Sequence, residues 1–313
     1  MKINDHTPGA RLLLGMAIGD AFGARFENLK RGEIQLADQE GVYQGRNQYT
    51  DDTQMAIGIA ELLISGNPFT GENIADALLK AYRRDPRQGY SQLTKRMLEE
   101  AEHGKAFLQF LTDEELKRRK SDGAAMRALP LGMLADREAV IRSSINSAAI
   151  IHGHPDALAA TVGIALISHE RYHHKAPFPD IVRNLPKIIP SLTREGRVYL
   201  DRVISGDYSP DTILGEYVSY GVPYTESLIL FGAVIAILTK FGENPGEALL
   251  RSVELGGDTD TTASIVLGAA LIYPGAGTLP LTLVKDLENG EYGRDYLITL
   301  GNELTKRFPV ISS

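Results

Sequence analysis

The chain contains no cysteine among its 313 residues. It can therefore form neither a disulfide nor a thiolate metal site, and any bound metal must use oxygen or imidazole ligands. The absence of cysteine also fits a reducing compartment.

The chain also lacks an apolar run long enough to cross a membrane. The apolar segment SLILFGAVIAIL, at 227–238, is shorter than the ~20 residues that a spanning helix needs. Near the N-terminus, RLLLGMAIGDAFGARF is interrupted by Asp20 and has neither a basic leader nor a clear cleavage site, unlike a signal peptide. We therefore expect a soluble cytoplasmic protein with no membrane partner.

The chain has fewer basic than acidic residues, 33 Lys and Arg against 40 Asp and Glu, which gives a formal net charge of −7. This balance disfavours non-specific binding to nucleic acid or to anionic membranes. Hydrophobic residues make up 43% of the chain, enough to bury a sizeable core. No linker-like tract or repeat divides the sequence. We predict one domain over residues 1–313, and we expect a monomer.

Strand patterns are nearly absent, whereas apolar residues recur at three- and four-residue spacing in many segments. These segments are 10–22, 53–64, 72–84, 91–103, 157–170, 224–238 and 245–255. Gly66-Asn67-Pro68 and similar clusters follow them and are typical of helix ends. Gly and Ala inside the segments would let helix axes approach closely. The sequence therefore predicts an all-α fold, a compact multi-helix bundle.

Two acidic clusters stand at the starts of apolar helical segments, YTDDTQM at 49–55 and LGGDTDTT at 255–262. Helix capping is the simplest explanation, because Thr50 or Asp51 could accept backbone N–H bonds and acidic groups favour the positive end of the helix dipole. Capping accounts for one carboxylate in each cluster. It does not account for the second.

Paired carboxylates this close repel one another unless a cation lies between them, and hard divalent ions prefer carboxylate and hydroxyl oxygens. The four carboxylates of Asp51, Asp52, Asp258 and Asp260 therefore indicate a pair of metal ions. Residues two apart point to nearly opposite sides of a regular helix. Asp258 and Asp260 can share an ion only in an irregular turn that enters the helix, and Gly256-Gly257 can supply that turn.

Two other enzyme motifs compete with this interpretation. DTDTT matches the D-x-D-x-T loop of haloacid-dehalogenase-type phosphatases, but that loop follows a strand near the N-terminus, and the context here excludes it. DDTQM partly matches the D-D-x-x-D motif of prenyl-chain synthases, but Met55 and Ala56 occupy the positions where the further aspartate is needed. This second match is weak.

Five ordered motifs, spread over nearly the whole chain, resemble those of the ADP-ribosylglycohydrolase family. They are GMAIGDAFGARFE (15–27), TDDTQM (50–55), SDGAAMRALPLG (121–132), HGHPDALAA (152–160) and LGGDTDTTAS (255–264). The resemblance implies an all-α fold that binds two Mg²⁺ or Mn²⁺ ions. The metal ligands that it implies are Thr50, Asp51, Asp52, Asp258, Asp260 and Thr261.

The resemblance also implies hydrolysis at the ribose carbon that links ADP-ribose to an acceptor. The implied partner is an ADP-ribosylated protein or a small-molecule ADP-ribose conjugate, and we expect nucleic acid only as an ADP-ribosylated acceptor. The implied catalytic residues are Glu27, Asp52 and Asp260. Glu27 would act as a general base or as a metal ligand, and its alternative interpretation is a surface glutamate at a helix end. The residues expected to bind substrate are Ser121, Asp122, Gly123, Met126, His152, Gly256 and Gly257.

Several neighbouring features carry weaker expectations. Lys117–Lys120 and the following Ser-Asp-Gly turn, which we expect to open an apolar helix, could present N–H groups to a diphosphate, although each single basic residue is better explained as solvated. Asp122 stands where the family often has asparagine, which adds negative charge. His154 is expected to cap its helix.

Two further segments are less defined. The first, RRDPRQGYSQL at 83–93, resembles a family segment and has Ser91 where glycine often occurs, but the sequence assigns it no role. The second holds Tyr217, Tyr220 and Tyr224, which could cover an adenine, although core or surface packing is the better explanation.

We therefore predict a dinuclear hydrolase of ADP-ribose conjugates. The alternative is a non-catalytic ADP-ribose-binding or structural member of the same fold. Retention of all six implied ligands together with Glu27 favours activity, because a binding protein has no physical need to confine so much negative charge. The sequence leaves the acceptor open among arginine, serine, a nucleic-acid end and O-acetyl-ADP-ribose.

Overall fold

The computed structural model describes residues 3–30, 32–34, 43, 46–189, 192–206, 226–275 and 279–311. Regular structure in these residues is helical, apart from one isolated bridge between Ser121 and Glu226. The predicted all-α fold is therefore confirmed. None of the described helices is both long and apolar enough to span a bilayer.

The described α-helices are α1 (Pro8–Gly23), α2 (Asp51–Ser65), α3 (Gly71–Arg84), α4 (Gln92–Glu100), α5 (Gly104–Leu108), α6 (Asp113–Arg118), α7 (Arg137–Ala149), α8 (Pro155–His174), α9 (Phe178–Ile188), α10 (Arg194–Ser205), α11 (Ser227–Phe241), α12 (Pro245–Glu254), α13 (Thr259–Ile272), α14 (Leu281–Asp286) and α15 (Arg294–Arg307). Short 3₁₀ helices cover Ile3–Asp5 and Leu129–Met133.

Local chemistry explains where these helices begin and end. Thr7 precedes α1 and its hydroxyl accepts a bond from the backbone N of Ala10 at 3.4 Å, while Pro8 occupies the first helical position. Gly66 ends α2 with a φ of 73°, a left-handed conformation that glycine adopts without strain. This position confirms the predicted stop at Gly66-Asn67-Pro68.

Glycines on α1 allow it to pack directly against α13. A Cβ at Gly15 would lie 2.7 Å from the carbonyl oxygen of Leu267, and a Cβ at Gly23 would overlap the backbone at Thr259. Since the contacts run in opposite order along the two helices, α1 and α13 are antiparallel. The C-terminal end of α1 therefore lies beside the N-terminal end of α13.

The hydrophobic core is continuous through the central helices α1, α2, α8, α11 and α13. α1, α8 and α13 are buried over most of their length. Their small residues let surrounding helices approach from several sides, as the sequence predicts. Functional groups in these helices are consequently accessible mainly at the helix ends.

One local prediction is wrong, because no α-helix follows the Ser-Asp-Gly turn. Asp122 lies in a bend, and residues 123–127 form successive turns that lead into the 3₁₀ helix. Pro130 has no N–H to donate, and Gly132 lies so close to α8 that a Cβ there would be 2.5 Å from the carbonyl oxygen of Ala165. The buried Arg127 side chain bonds to the carbonyl oxygen of Gly123, so a side chain takes up a backbone acceptor of this segment.

Candidate metal centre

The two acidic clusters lie on the wall of one cavity, which has a volume of about 330 Å³. Asp51 and Asp52 lie at the start of α2, and Asp258 and Asp260 lie at the start of α13. Glu27, just beyond the end of α1, lines the same cavity. The antiparallel packing of α1 and α13 explains how residues so distant in sequence meet here.

Neither acidic helix start is capped by its own side chains. Thr50 and Asp258 occupy the N-cap positions of α2 and α13, but neither side chain accepts a capping bond within its helix. By contrast, Thr70, Thr112 and Asp136 cap α3, α6 and α7 in the usual way. Helix capping therefore does not explain the two acidic clusters.

Asp20 of α1 caps α2 from another helix instead. Its Oδ1 accepts bonds from the backbone N and the hydroxyl of Thr50, both at 2.8 Å. Its Oδ2 accepts bonds from the backbone N and the hydroxyl of Thr53, at 3.0 and 2.7 Å. Burial raises the pKa of Asp20 to about 6, although these four bonds lower it. Asp20 thereby fixes the segment that carries Asp51 and Asp52.

The carboxyl groups of the two acidic clusters are buried close together. Ionising all four at once, without a bound cation, is therefore strongly unfavourable. Burial is the main cause that raises the pKa of each of them well above its usual range. The charge of Asp260 is the next largest cause for both Asp51 and Asp52. Asp260 therefore acts electrostatically on both carboxylates of the other cluster.

The donor set fits divalent cations. One oxygen of Asp52, Oδ1, is buried and has no hydrogen-bond partner among the described residues. Carboxylate and hydroxyl oxygens are the ligands that Mg²⁺ and Mn²⁺ prefer, and a cation would both pair this oxygen and relieve the repulsion. The cavity thus has the chemistry of a metal centre.

The two predicted threonine ligands, Thr50 and Thr261, differ in their position relative to the cavity. Thr261 lines the cavity, and its backbone N donates to Asp260 Oδ1 at 3.0 Å. Thr50 is not among the residues that line it, and its hydroxyl donates to Asp20 at 2.8 Å. The same hydroxyl lies 3.5 Å from Asp52 Oδ2. Five of the six predicted ligands therefore line the cavity, and Thr50 is joined to them through its contact with Asp52.

Gly256 and Gly257 form the irregular turn that the sequence predicts before α13, with φ values of 73° and 74°. The backbone N of Gly257 donates to the carbonyl of Leu29 at 2.9 Å, and the backbone N of Asn28 donates to the carbonyl of Gly257 at 2.8 Å. The turn therefore joins the start of α13 to the segment that carries Glu27. Neither glycine lines the cavity, and contact between them and substrate stays a prediction.

Glu27 was expected either in the site or on the surface, and its position has features of both. Its side chain is exposed, as in the surface alternative, and it also lines the cavity. Asn28, with a φ of 65°, donates from its amide Nδ2 to Glu27 Oε1 at 3.3 Å. The charge of Glu27 contributes to the raised pKa of Asp260, after burial and Asp258. Glu27 is therefore near the acidic cluster and open to solvent.

The residues predicted to bind substrate contribute to the same cavity. Five of them line it, namely Ser121, Asp122, Gly123, Met126 and His152. Ser121 Oγ lies 2.8 Å from His152 Nε2. Burial lowers the pKa of His152 well below its usual value, so the ring is neutral. Its buried Nδ1 has no hydrogen-bond partner in the described part of the chain.

Asp122 lies close to Asp258, and the charge of Asp122 is the largest cause after burial that raises the pKa of Asp258. Burial is the main cause that raises the pKa of Asp122 to about 7. Partial protonation of Asp122 near neutral pH therefore removes part of the extra negative charge that the sequence predicts at this position.

The remaining sequence expectations have mixed outcomes. His154 caps α8 as predicted, since its Nδ1 accepts a bond from the backbone N of Asp156 at 3.2 Å. Lys117 is solvated and pairs with Glu114 at 3.0 Å. The three tyrosines expected near an adenine, Tyr217, Tyr220 and Tyr224, lie outside the described residues.

The sequence assigns no role to Gly89, but in the structure this glycine packs against Asp51 of the acidic cluster. Gly89 has a φ of 105°, and a Cβ at this position would overlap the carboxylate of Asp51. The backbone N of Asp51 donates to the carbonyl of Gln88 at 2.9 Å, and Ser91 lines the cavity. The segment around Gly89 therefore forms the wall that holds Asp51 in place.

We expect Gly89→Ala to reduce turnover about 10²-fold, the effect of an ångström-scale misplacement near reacting groups. The added methyl would displace the Asp51 carboxylate, and alanine is strained at this φ. The matched control is Gly206→Ala, which has a φ of 84° but no atom of the described residues within 4 Å of the new methyl. Equal losses in the two variants, measured as single-turnover rates, would contradict a steric role for Gly89.

We expect Asp20→Asn to weaken Mn²⁺ binding about 10- to 100-fold, as loss of a residue that orients metal ligands does. The amide cannot accept all four bonds from Thr50 and Thr53. Asp156→Asn is the control, because Asp156 accepts bonds from the backbone N and hydroxyl of Thr193 but does not line the cavity. Calorimetry should show weaker Mn²⁺ binding only for Asp20→Asn, and unchanged affinity there would refute the positioning role.

Comparison with known proteins gives a family match over nearly the whole chain. The family model for ADP-ribosylglycohydrolase matches residues 9–311. A solved structure described as an ADP-ribosylglycohydrolase-related protein complex superposes with a TM-score of 0.74 and 23% identity, covering 96% of this chain and 97% of that chain. At this identity, the superposition shows a shared fold.

Three curated proteins match shorter parts of the chain. ADP-ribosylarginine hydrolase Tri1 of Pseudomonas putida (strain GB-1) is 39% identical over 82 residues, 25% of this chain and 22% of that protein. ADP-ribosylhydrolase ARH3 of Xenopus tropicalis is 29% identical over 136 residues, 40% of this chain and 39% of that protein. ADP-ribosyl-[dinitrogen reductase] glycohydrolase of Rhodospirillum rubrum is 28% identical over 179 residues, which are 52% of this chain and 57% of that protein. Each match spans less than two thirds of the relative.

Proposed function

Because the chain belongs to the ADP-ribosylglycohydrolase family, we propose that it hydrolyses the bond between ADP-ribose and an acceptor with the help of two divalent ions. The observation that carries the proposal is the meeting of two acidic helix starts, neither capped by its own side chains, in one cavity that Glu27 also lines. The names of two relatives describe hydrolysis of ADP-ribosylarginine and of ADP-ribosylated dinitrogen reductase. The proposed substrate is an ADP-ribosylated protein or a small-molecule ADP-ribose conjugate, with an ADP-ribosylated nucleic-acid end as the further possibility that the panel below tests.

The ions are Mg²⁺ or Mn²⁺, and the proposed ligands are Thr50, Asp51, Asp52, Asp258, Asp260 and Thr261. When bound, the ions would neutralise the carboxylates and polarise the ribose oxygens that face them. Asp20 keeps the α2 ligands in position through its bonds to Thr50 and Thr53.

Glu27 is the proposed proton acceptor. Its exposed carboxylate lies at the cavity, where it can take a proton from a water molecule that attacks the ribose carbon. The water oxygen bonds to that carbon, the bond to the acceptor breaks, and the proton passes to the departing acceptor. A role of Glu27 as a metal ligand is the competing assignment, and the two give different results on substitution.

Ser121 and His152 are the proposed contacts to the sugar. The hydroxyl and the neutral ring form a pair 2.8 Å apart on the cavity wall. Neutral donors and acceptors suit ribose hydroxyls, which carry no charge. Gly123 lies so close to this ring that a Cβ there would be 3.0 Å from His152 Cε1, so the turn leaves little space for any larger residue.

A panel of ADP-ribose conjugates tests the proposed function. The panel contains conjugates to arginine, to serine and to a nucleic-acid end, together with O-acetyl-ADP-ribose, each incubated with Mg²⁺ or Mn²⁺. We expect release of ADP-ribose from at least one of them, and we expect EDTA to stop it. Binding of ADP-ribose without cleavage of any conjugate would favour the non-catalytic alternative.

A further inference from the structure

A second group of metal-binding side chains lies on α8, outside the candidate metal centre. One ligand atom from each of His169, Glu170 and His174 lies within 4.8 Å of the others. We propose that this group, the α8 histidine site, binds one divalent ion of the zinc class through two imidazole nitrogens and one carboxylate oxygen. A set of two histidines and one glutamate leaves a fourth position for water in the tetrahedral geometry of zinc.

The hydrogen bonds of His169 leave one ring nitrogen for a metal ion. Its Nδ1 lies 3.0 Å from the carbonyl oxygen of Leu134 and 3.3 Å from that of Gly132. Carbonyl oxygens only accept hydrogen bonds, so Nδ1 carries the proton and Nε2 carries a lone pair. The side chain is only 2% exposed, and Nε2 makes no hydrogen bond to the described residues. Metal-binding histidines commonly have this arrangement, in which the second nitrogen donates to a backbone carbonyl.

In the neighbouring His173, by contrast, both ring nitrogens form hydrogen bonds with the backbone. Its Nε2 faces the carbonyl oxygens of Met133 and Leu134, at 3.2 and 3.1 Å. Its Nδ1 accepts a bond from the backbone N of Ile311 at 3.2 Å. Both nitrogens of His173 therefore serve the fold, whereas His169 keeps one nitrogen for a ligand.

Glu170 and His174 complete the group. They are four residues apart, and such residues lie on the same face of a helix. Arg137 donates to Glu170 Oε1 at 2.6 Å, which orients the carboxylate and leaves its second oxygen for an ion. Zinc bonds of about 2.0–2.1 Å require the ligand atoms to approach more closely than they do here. His174 can make this movement, because its side chain is exposed at the last residue of α8.

The ligand chemistry separates this site from the acidic cavity. Imidazole nitrogen suits zinc, copper and nickel, whereas a set made only of carboxylate and hydroxyl oxygens suits magnesium and manganese. None of the three residues lines the acidic cavity. The two sites should therefore bind different ions and respond to different substitutions.

Zinc titration of a double variant tests the proposal. Asp258→Asn with Asp260→Asn weakens binding in the acidic cavity, so that calorimetry reports the α8 histidine site. We expect one equivalent of Zn²⁺ to bind this variant, and we expect further substitution by His174→Ala or Glu170→Gln to weaken binding by about tenfold or more. Glu170→Gln keeps an acceptor for Arg137 but removes the charge.

The matched control is His103→Asn, added to the same double variant. His103 is also an exposed histidine, and asparagine preserves its role as the N-cap of α5. This control should bind Zn²⁺ as tightly as the double variant alone. The proposal is overturned if the double variant binds no Zn²⁺, or if His174→Ala and His103→Asn have the same affinity. Since His174 and His103 are exposed, a difference between them reports ligation and not loss of the fold.

Discussion

We expect Asp260→Asn to abolish metal binding and turnover together, with a rate at least about 10³-fold below that of the parent chain. Asp260 is 4% exposed, and its charge is the largest single charge acting on both Asp51 and Asp52. Two metal ions bound between the two helix starts would therefore depend on Asp260 more than on any other carboxylate. The amide keeps an oxygen that can accept the bond from Thr261 N, so the local backbone should remain in place.

Two measurements together test this expectation. Elemental analysis after dialysis gives the number of bound ions, and single-turnover release of ADP-ribose from a mono-ADP-ribosylated peptide gives the rate. Asp113→Asn is the control, because Asp113 is an exposed aspartate in the first turn of α6. The control should keep its ions and its rate. Full ion content and parental turnover in Asp260→Asn would contradict the proposed role.

Glu27→Gln should give the second largest effect, and its pattern distinguishes the two roles of Glu27. If Glu27 accepts the proton, the variant should bind ADP-ribose with unchanged affinity and lose about 10²–10⁴-fold in rate, the usual contribution of a positioned general base. If Glu27 is mainly a metal ligand, affinity and rate should fall together. Calorimetry with ADP-ribose in the presence of Mg²⁺ and the single-turnover assay separate these outcomes.

The control for Glu27 is a nearby carboxylate that does not line the cavity. Glu33 is exposed, and its Oε2 accepts a bond from the backbone N of Lys30 at 2.8 Å. Glu33→Gln should leave both affinity and rate unchanged. Parental turnover in Glu27→Gln, on a substrate that the parent chain cleaves, would remove Glu27 from the mechanism.

The sequence predicts the helical framework well because its signals are local. Apolar spacing and Gly or Pro stops predict the central helices, and the small residues of α1 allow the close helix approach that the sequence predicts, which the structure shows to be with α13. The turn at Gly256 and Gly257 is also predictable, since two adjacent glycines before a helix favour left-handed backbone.

The position of Asp20 could not be predicted in the same way. In the sequence it only interrupts an apolar helical run, because its partners Thr50 and Thr53 are some thirty residues away and on another helix. A buried aspartate in such a run is a signal that it has partners, but the sequence does not name them. The turns after Ser121 were missed for a similar reason, since close packing against α8 decides their conformation.

The central claim is that one cavity, between the starts of α2 and α13, holds two divalent ions. Crystals soaked in Mn²⁺ test it directly through an anomalous difference map. We predict two peaks beside Asp52 and Asp260, separated by roughly the 3.5–4 Å that is typical of dinuclear sites. A map with no peak beside these two residues, from crystals in which soaked Mn²⁺ reaches the cavity, would contradict the claim.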